Sequence, residues 1–552
     1  MNTTPDPVRA YHQRTKHQPQ RFAAGPDTLD WDAQPDPFRQ WEGAPLTVLP
    51  LLADSLDTPW ADLFVPGRVA PHAMNSASLG LLFELSFALT AWKQFGPDRW
   101  ALRANPSSGN LHPTEVYALS RGVSGLADGL HHYAPREHAL ALRAAQATSV
   151  NGDMPVQLYV GLSTIQWREA WKYGERAFRY CQLDVGHAVG ALRYAAAALG
   201  WQARVVPDVP HAELAALLGL DRDADFGRAE REEPELLIQL GVALPGATTL
   251  PPAWPEATTW HGQASRLDAH PMYRWPVIDE VAAATRRAAR TPEASSSSHT
   301  PAEQTGHADS LNERASEPAL RAAVPASTVI RGRRSAQHFD RRASMPAQAF
   351  FRMARALMPD GAVPWDAWPQ SPRVHAVLYA HRVDGLPAGA YLLPRSANGA
   401  ALLKELVHVG QAWQPVAQAP TDLPLLCLNE HPALAGALRT LSCHQAIGSD
   451  ACFAVSLLAE FEEPIDAGAW QYRSLFQEAG LIGQVLYLQA EAEGYRGTGI
   501  GCYFDDAVHE LLGLKDQRVQ VLYHFTVGVP VVDTRISTEP PYAHRSLVPD
   551  SD

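Results

Sequence analysis

The sequence predicts two tandem domains of mixed helix and strand, paired within one chain as a symmetric dimer would be. Three observations carry this reading. At 552 residues the chain is longer than one hydrophobic core fills. A long apolar helix occurs twice: Phe178-Arg179, Asp184, Gly186, Leu192, Ala196, Gly200 and Trp201 match Tyr472-Arg473, Glu478, Gly480, Leu486, Ala490, Gly494 and Tyr495 at a constant offset of 294. A second match holds in the same order. Tyr117-Ala118 ahead of Gly125-Leu126 and Gly129 corresponds to Tyr379-Ala380 ahead of Gly385-Leu386 and Gly389, at an offset of about 260, so the loops between matches differ in length. A repeated domain in one chain stands in for a two-fold dimer, and ligand sites are then expected between the halves, each half supplying residues.

Composition narrows the function classes. Apolar residues make up 46% and charged residues 19%, as in ordinary globular protein. The net charge is -13, with no basic tract to neutralise a nucleic-acid backbone, so no nucleic-acid partner is expected. No apolar run approaches a membrane span and Met1 to Ala10 has no signal pattern, which together suggest a cytoplasmic protein without a membrane partner. The five cysteines, at 181, 427, 443, 452 and 502, show no CxxC spacing; they read as reduced thiols, and no metal is expected.

The elements follow in order. Residues 1–242 form the first domain, opening with an arm rich in proline and aromatics. A helix is expected over Asn75 to Phe95, capped by Ser76 or Ser78, then strands at Val116 to Leu119, Gly129 to Tyr133 and Gln157 to Leu162. The helix Phe178 to Gly200 has apolar residues at helical spacing, and Ala203 to Val206 is a strand. Residues 243–323 are a Pro/Ser/Ala-rich linker, with disorder expected over much of Ala284 to Glu317. The second domain, 324–552, is expected to hold helices over Ser327 to Phe339, Met345 to Leu357, Ser442 to Glu460 and Tyr472 to Glu493. Its strands are expected at Val374 to His381 and Val519 to Val527.

Four stretches carry candidate chemistry. Asn105-Pro106-Ser107-Ser108-Gly109-Asn110-Leu111-His112-Pro113 offers hydroxyls, an amide and a glycine bend between two prolines, suited to the edge of a flat polar heterocycle; the bland alternative is a turn before a strand. Arg331-Gly332-Arg333-Arg334-Ser335 is a dense basic cluster with a hydroxyl, suited to phosphate oxygens or simply to solvent. Gly497-Thr498-Gly499-Ile500-Gly501 exposes backbone N–H groups, but it follows a helix and lacks dinucleotide-fingerprint spacing. In Trp167 to Arg176, Lys172 beside Tyr173 can exchange protons if burial moves its pKa; surface ion pairing is the alternative.

Together these pieces resemble the flavin-dependent nitroreductase superfamily and, more closely, the SagB-type dehydrogenases, or azoline oxidases. The resemblance rests on Tyr11 to His17, Pro35 to Phe38, Asn105 to Pro113 and Lys172 to His187 in the first half. In the second it rests on Arg333 to Ser335, Ala479 to Gln484 and Gly499 to Gly501. It implies an α+β fold, two tandem nitroreductase-like domains as an intrachain pseudo-dimer, and FMN at their interface. Arg333 and Ser335 resemble the phosphate contacts, with Arg331 or Arg334 as neighbours and Arg535 as a further candidate. Pro106, Ser107, Ser108 and Asn110 resemble the loop against the flavin ring, with Gly499, Ile500 and Gly501 near it. Lys172 and Tyr173 match the catalytic acid/base pair. The implied reaction is oxidation of a thiazoline or oxazoline, a base removing a ring proton as the flavin accepts hydride.

The substrate is then a small molecule or a modified peptide, the latter delivered by a biosynthetic partner protein. The Asn105 loop pattern is missing from Pro359 to Pro372, which predicts one FMN per chain. The alternatives are an NAD(P)H-dependent nitro, quinone or flavin reductase, and a non-catalytic flavin-binding or scaffold protein. Fused halves remove the need for a homodimer and leave further assembly open.

Overall fold

The computed structural model describes residues 6–145, 156–246, 250–288, 320–409 and 413–547. Six helices position the site: α1 (Pro7–Arg14), α2 (Ser76–Ser86), α3 (Gln166–Tyr173), α4 (Ala177–Ala198), α5 (Ala326–Gly332) and α6 (Gln471–Ala492). The first half contributes strands β1 (Thr114–Arg121), β2 (Gly129–Ala134), β3 (Ala139–Ala145), β4 (Gln157–Thr164), β5 (Gln202–Val205) and β6 (Glu233–Gly241). The second contributes β7 (Val374–Ala380), β8 (Gly389–Leu393), β9 (Leu426–Glu430), β10 (Phe453–Glu460), β11 (Arg496–Ile500) and β12 (Val519–Gly528).

Both sheets have one topology. The first runs β3-β2-β1-β4-β6-β5 and the second β9-β8-β7-β10-β12-β11, antiparallel throughout. The central strands β1, β4, β10 and β12 are buried along nearly their whole length, as expected of sheets covered on both faces. The expected α+β fold of two tandem domains is the observed one.

The two long helices lie between the sheets. Every residue of α4 is buried, and α6 is almost as enclosed. Their amino-terminal turns meet as a symmetric dimer's would. Phe178 stacks on Tyr472 with ring centroids 6.3 Å apart and planes 9° from parallel. Arg179 reaches across to Asp505 at 2.8 Å, and Arg473 reaches back to Glu233 at 2.7 Å and Glu235 at 2.9 Å. All of these groups are buried, so each cation depends on a carboxylate of the opposite half.

Three expected helices are shorter or are not helices. The run expected over Asn75 to Phe95 is α2 followed by a strand, Leu89–Phe95. Asn75 caps α2, its side chain accepting from Ser78 N at 2.9 Å. Beyond Phe87 the chain pairs with Asp98–Arg103 and with Ser537–Glu539, more than four hundred residues later in sequence. Tertiary pairing there overrides an apolar run that reads equally well as helix. The helix expected over Ser442 to Glu460 ends as strand β10, because its apolar residues fill the gap between β7 and β12. The helix expected over Ser327 to Phe339 stops at Gly332, and the arginine cluster after it is extended.

Between the halves, Thr259–Trp260 pairs with β3, and a helix at Pro276–Ala284 packs against α1 and α4. Most of the Ala284 to Glu317 segment lies outside the described residues.

Candidate functional site between the halves

A cavity of about 530 Å³ opens between the two halves. Its walls bring together Pro106, Ser107, Ser108 and Asn110 of the loop before β1, Arg333, Arg334 and Ser335 after α5, and Gly499, Ile500 and Gly501 at the end of β11. Residues separated by more than two hundred positions in sequence thus share one space.

The loop before β1 is built by its own polar groups. Ser107 Oγ accepts from His112 N at 2.8 Å, and Asn110 Nδ2 donates to Ala101 O at 2.9 Å. Gly109 has φ +59°, and a Cβ there would lie 2.5 Å from the Tyr173 hydroxyl, so only glycine fits. Beneath the loop Asp184 of α4 accepts from Ser108 N at 3.1 Å and from Ser108 Oγ at 3.0 Å. Burial pushes the Asp184 carboxyl up to about 7 against these hydrogen bonds.

Another part of the wall is cationic. Lys93, Arg103, Arg333, Arg334 and Arg496 all line it. Arg333 donates to Ala104 O and Arg103 O, each at 3.0 Å, which ties the second half to the first. Burial, then Arg333 and Arg496, pulls Arg334 down to about 10. Burial lowers Arg103 to about 10 and also lowers Lys93, which Arg334 and Arg496 push down further. Cations held this close repel one another unless an anion joins them. Arg103 Nε and Asn105 Oδ1 are buried and lack a hydrogen-bond partner.

The end of β11 closes a third side. Ser335 Oγ lies 2.9 Å from the Tyr487 hydroxyl, which accepts from Gly499 N at 3.1 Å. A Cβ on Gly499 would stand 1.7 Å from the Tyr523 hydroxyl. Tyr487, Tyr523, Lys93, Arg103 and Arg496 join the site without any motif marking them, and Tyr180, Asp184 and His187, within the Lys172 to His187 stretch, line it too.

The remaining sequence candidates fall at or beyond the rim. Tyr173 lines the cavity, and Lys172 sits beside it with Nζ 5.4 Å from the Tyr173 ring centroid and 5.3 Å from that of Trp31. Burial lowers the Lys172 pKa, partly opposed by Glu169, and raises the Tyr173 hydroxyl. Arg331 turns away from the cavity and pairs with Asp54. Arg535 is also turned out: its side chain is 74% exposed and pairs with Asp533 at 2.7 Å. Neither arginine is among the residues that line the cavity, although Asp533 is.

The matching residues of the second half are partnered differently. Glu478 of α6 accepts from Arg373 N at 3.0 Å, as Asp184 does from Ser108 N, but it is also neutralised by Arg395. Trp365 and Trp368 of that loop are buried, and Asp366 pairs with Arg193 of α4 at 2.7 Å.

Among the described residues no helix is long and apolar enough to cross a membrane, and no group of three or more His, Cys, Asp or Glu could hold a metal ion.

Comparison with known proteins agrees with this architecture. The family model described as the nitroreductase family matches residues 99–241 and 330–529, one match in each half. A putative nitroreductase of Methanocaldococcus jannaschii is 30% identical over 132 residues, 22% of this chain, and the chain spans 64% of that relative's length. Among solved structures, a putative nitroreductase from Anabaena variabilis covers 96% of this chain and 100% of its own, with a TM-score of 0.66 and 20% identity. A chain of the E. coli microcin synthetase complex overlaps 44% of this chain and 95% of its own, with a TM-score of 0.26 and 17% identity, too slight a likeness to build on. With family matches in both halves spanning more than half its length, the chain belongs to the nitroreductase family.

Proposed function

We propose that the chain is an FMN-dependent dehydrogenase that oxidises a thiazoline- or oxazoline-type ring in a modified peptide or related natural-product intermediate. The observation that carries the flavin reading is the meeting, in one cavity, of a buried cation cluster and a polar loop whose edge is only partly satisfied. FMN, when bound, supplies the two-electron acceptor.

This chain's residues fit that group. Arg334, Arg496 and Lys93 supply converging positive charge for a phosphate, and Ser335 adds a hydroxyl. Arg333 has its Nε and Nη2 committed to carbonyls of the first half, so it fixes the wall as well as its charge. Asn105, whose Oδ1 has no hydrogen-bond partner, lines the cavity beside the loop's hydroxyls. One flavin per chain is favoured, since the second half's counterpart of the loop, Pro359 to Pro372, lacks the Ser-Ser-Gly-Asn pattern.

The azoline reading rests on Lys172 and Tyr173. Burial makes the Lys172 amine easier to deprotonate, so it can take a proton from a ring carbon. Tyr173, its hydroxyl kept neutral by burial, stands against Gly109 and can hold a ring in place beside the loop.

The absorbance spectrum of freshly purified protein, with identification of the chromophore released on denaturation, tests the cofactor. About one FMN per chain is expected. No flavin after incubation with excess FMN overturns the cavity reading, and two per chain overturns the single-site reading.

A further inference from the structure

Two cysteines far apart in sequence meet at the cavity rim. Cys443 Sγ and Cys502 Sγ are 2.7 Å apart, and both residues are partly exposed. Cys502 lines the cavity itself, directly after Gly501. The backbone is held to make this contact. Phe504 N donates to Leu441 O at 2.8 Å, and Gln445 Nε2 donates to Cys502 O at 3.3 Å. Cys443 and His444 both adopt left-handed backbone, with φ +52° and +61°. Two such residues in succession are uncommon without glycine, and here they turn Cys443 toward its partner.

The surroundings favour a thiolate at one of the two sulfurs. His17 Nδ1 accepts from Ala23 N at 2.9 Å, which leaves the ring proton on Nε2, and the ring hydrogen-bonds Cys502. Arg176 donates to Gly501 O at 3.1 and 3.2 Å and adds positive charge beside it; its guanidinium also pairs with Asp505 at 3.1 Å. The hydrogen bond from Cys443, then His17 and Arg176, holds the Cys502 thiol below its ordinary range against burial, while the Cys443 thiol is pushed up.

We propose that Cys443 and Cys502 form a thiol–disulfide exchange centre that takes a low-molecular-weight disulfide at the cavity rim, with Cys502 attacking and Cys443 resolving. The Cys502 thiolate, its proton already lost to solvent, attacks one sulfur of the disulfide. That bond breaks, a mixed disulfide forms on Cys502, and the first thiolate leaves and is protonated by solvent. Cys443 gives its proton to solvent and attacks the Cys502 sulfur. The Cys443–Cys502 bond forms and the second thiolate leaves, to be protonated in turn. Two protein thiols are oxidised and one disulfide is reduced to two thiols, with two electrons passing between them. The step needs no flavin, so it stands or falls separately from the cofactor reading.

The test uses full-length reduced protein and glutathione disulfide, with intact mass and peptide mapping as readouts. Wild type is expected to lose two hydrogens, to carry no stable glutathione adduct, and to yield a linked peptide pair containing Cys443 and Cys502. Cys443→Ser is expected to trap glutathione on Cys502, whereas Cys502→Ser should form neither adduct nor link at Cys443 on the same timescale. At pH 7 Cys502 is expected to react roughly tenfold faster than the partly exposed Cys427, whose thiol burial pushes up. Absence of the link in wild type over all glutathione ratios overturns the proposal without any variant having to fold. A stable adduct on Cys443 in the Cys502→Ser protein overturns the assignment of roles.

Discussion

Gly186 and Gly480 face one another where α4 crosses α6. A Cβ on Gly480 would lie 3.1 Å from Gly186 Cα and 2.0 Å from Leu183 O, and a Cβ on Gly186 would lie 1.9 Å from Gln477 O. Leu183 and Gln477 are related by the same 294-residue offset as the two glycines. The contact is therefore isologous: each half presents to the other what it receives, the signature of a two-fold interface written into one chain.

A methyl group at either glycine forces the two helices apart. Gly186→Ala and Gly480→Ala are each expected to cost about 1–3 kcal/mol or more from overpacking, lowering the melting midpoint. They should also weaken FMN binding, since the cavity walls come from opposite halves. Gly436→Ala is the control: nothing lies within 4 Å of its added Cβ, and it sits in a helix over Leu434–Leu441. That change is expected to be neutral or stabilising by about 0.5–1 kcal/mol. Equal shifts for all three would remove the interface argument.

What the sequence made legible was chemistry concentrated in consecutive residues. Ser107-Ser108-Gly109-Asn110 and Arg333-Arg334-Ser335 stand out because a few neighbours carry an unusual density of donors. Tyr487 and Tyr523 do not, since each is one aromatic on an element buried all round. Lys93 and Arg103 sit on a hairpin completed by Ser537–Glu539, a pairing that no local window contains. Asp184 did leave a signal, a carboxylate repeated as Glu478 within two apolar helices. The partners, Ser108 N for Asp184 and Arg373 N for Glu478, are what the repeat alone could not supply. The arginines at 331 and 535 show the converse: the motif names the residue type, and the nearest carboxylate decides where the side chain goes.

Asp184 should make stability depend on pH in an unusual direction. Its carboxyl, near 3.8 when unfolded, is pushed up to about 7 in the folded chain, chiefly by burial. The folded state thus favours the protonated form. Its contribution is fully present below the unfolded value, is lost as pH rises through the folded one, and is flat above it. The span corresponds to about 4 kcal/mol at 1.36 kcal/mol per pH unit. Asp184→Asn should remove this loss. Relative to wild type, the variant is expected to gain stability as pH rises from about 4 to 8. Thermal midpoints at both ends check it; parallel profiles for the two proteins would defeat the assignment.

The cation wall should separate binding from stability. Burial, then repulsion from Arg333 and Arg496, lowers the Arg334 pKa, so the wall carries unfavourable charge. Arg334→Gln removes that charge together with the guanidinium's hydrogen bonds to Arg331 O, Arg333 O and Thr90 O at 2.8, 2.7 and 3.1 Å. FMN affinity is expected to fall by roughly tenfold or more, the worth of one hydrogen bond to a charged group. Riboflavin affinity should change far less, since riboflavin has no phosphate. Paired fluorescence titrations with the two flavins read the difference directly. A loss that is equal for both would show that Arg334 shapes the wall without holding the phosphate.

Lys172 and Tyr173 decide between oxidation of an azoline and general flavin reduction. Burial lowers the Lys172 pKa while Glu169, one turn earlier in α3, partly opposes it. An amine acting as base works only when deprotonated, so azoline oxidation should rise with pH and level off above the lowered pKa. Lys172→Ala is expected to lower that activity by about 10²–10⁴-fold and to abolish the rise, the usual range for loss of a general base. Flavin content and reduction by a nicotinamide should persist, because Lys172 stands at the rim beside Tyr173 and is not among the residues that would hold the flavin. Tyr173→Phe separates positioning from proton transfer: it keeps the ring over Gly109 and removes only the hydroxyl, so a retained pH rise with a smaller loss is expected. If Lys172→Ala reduces nicotinamide-driven flavin reduction as much as azoline oxidation, Lys172 is not the base and the reductase reading becomes the better one.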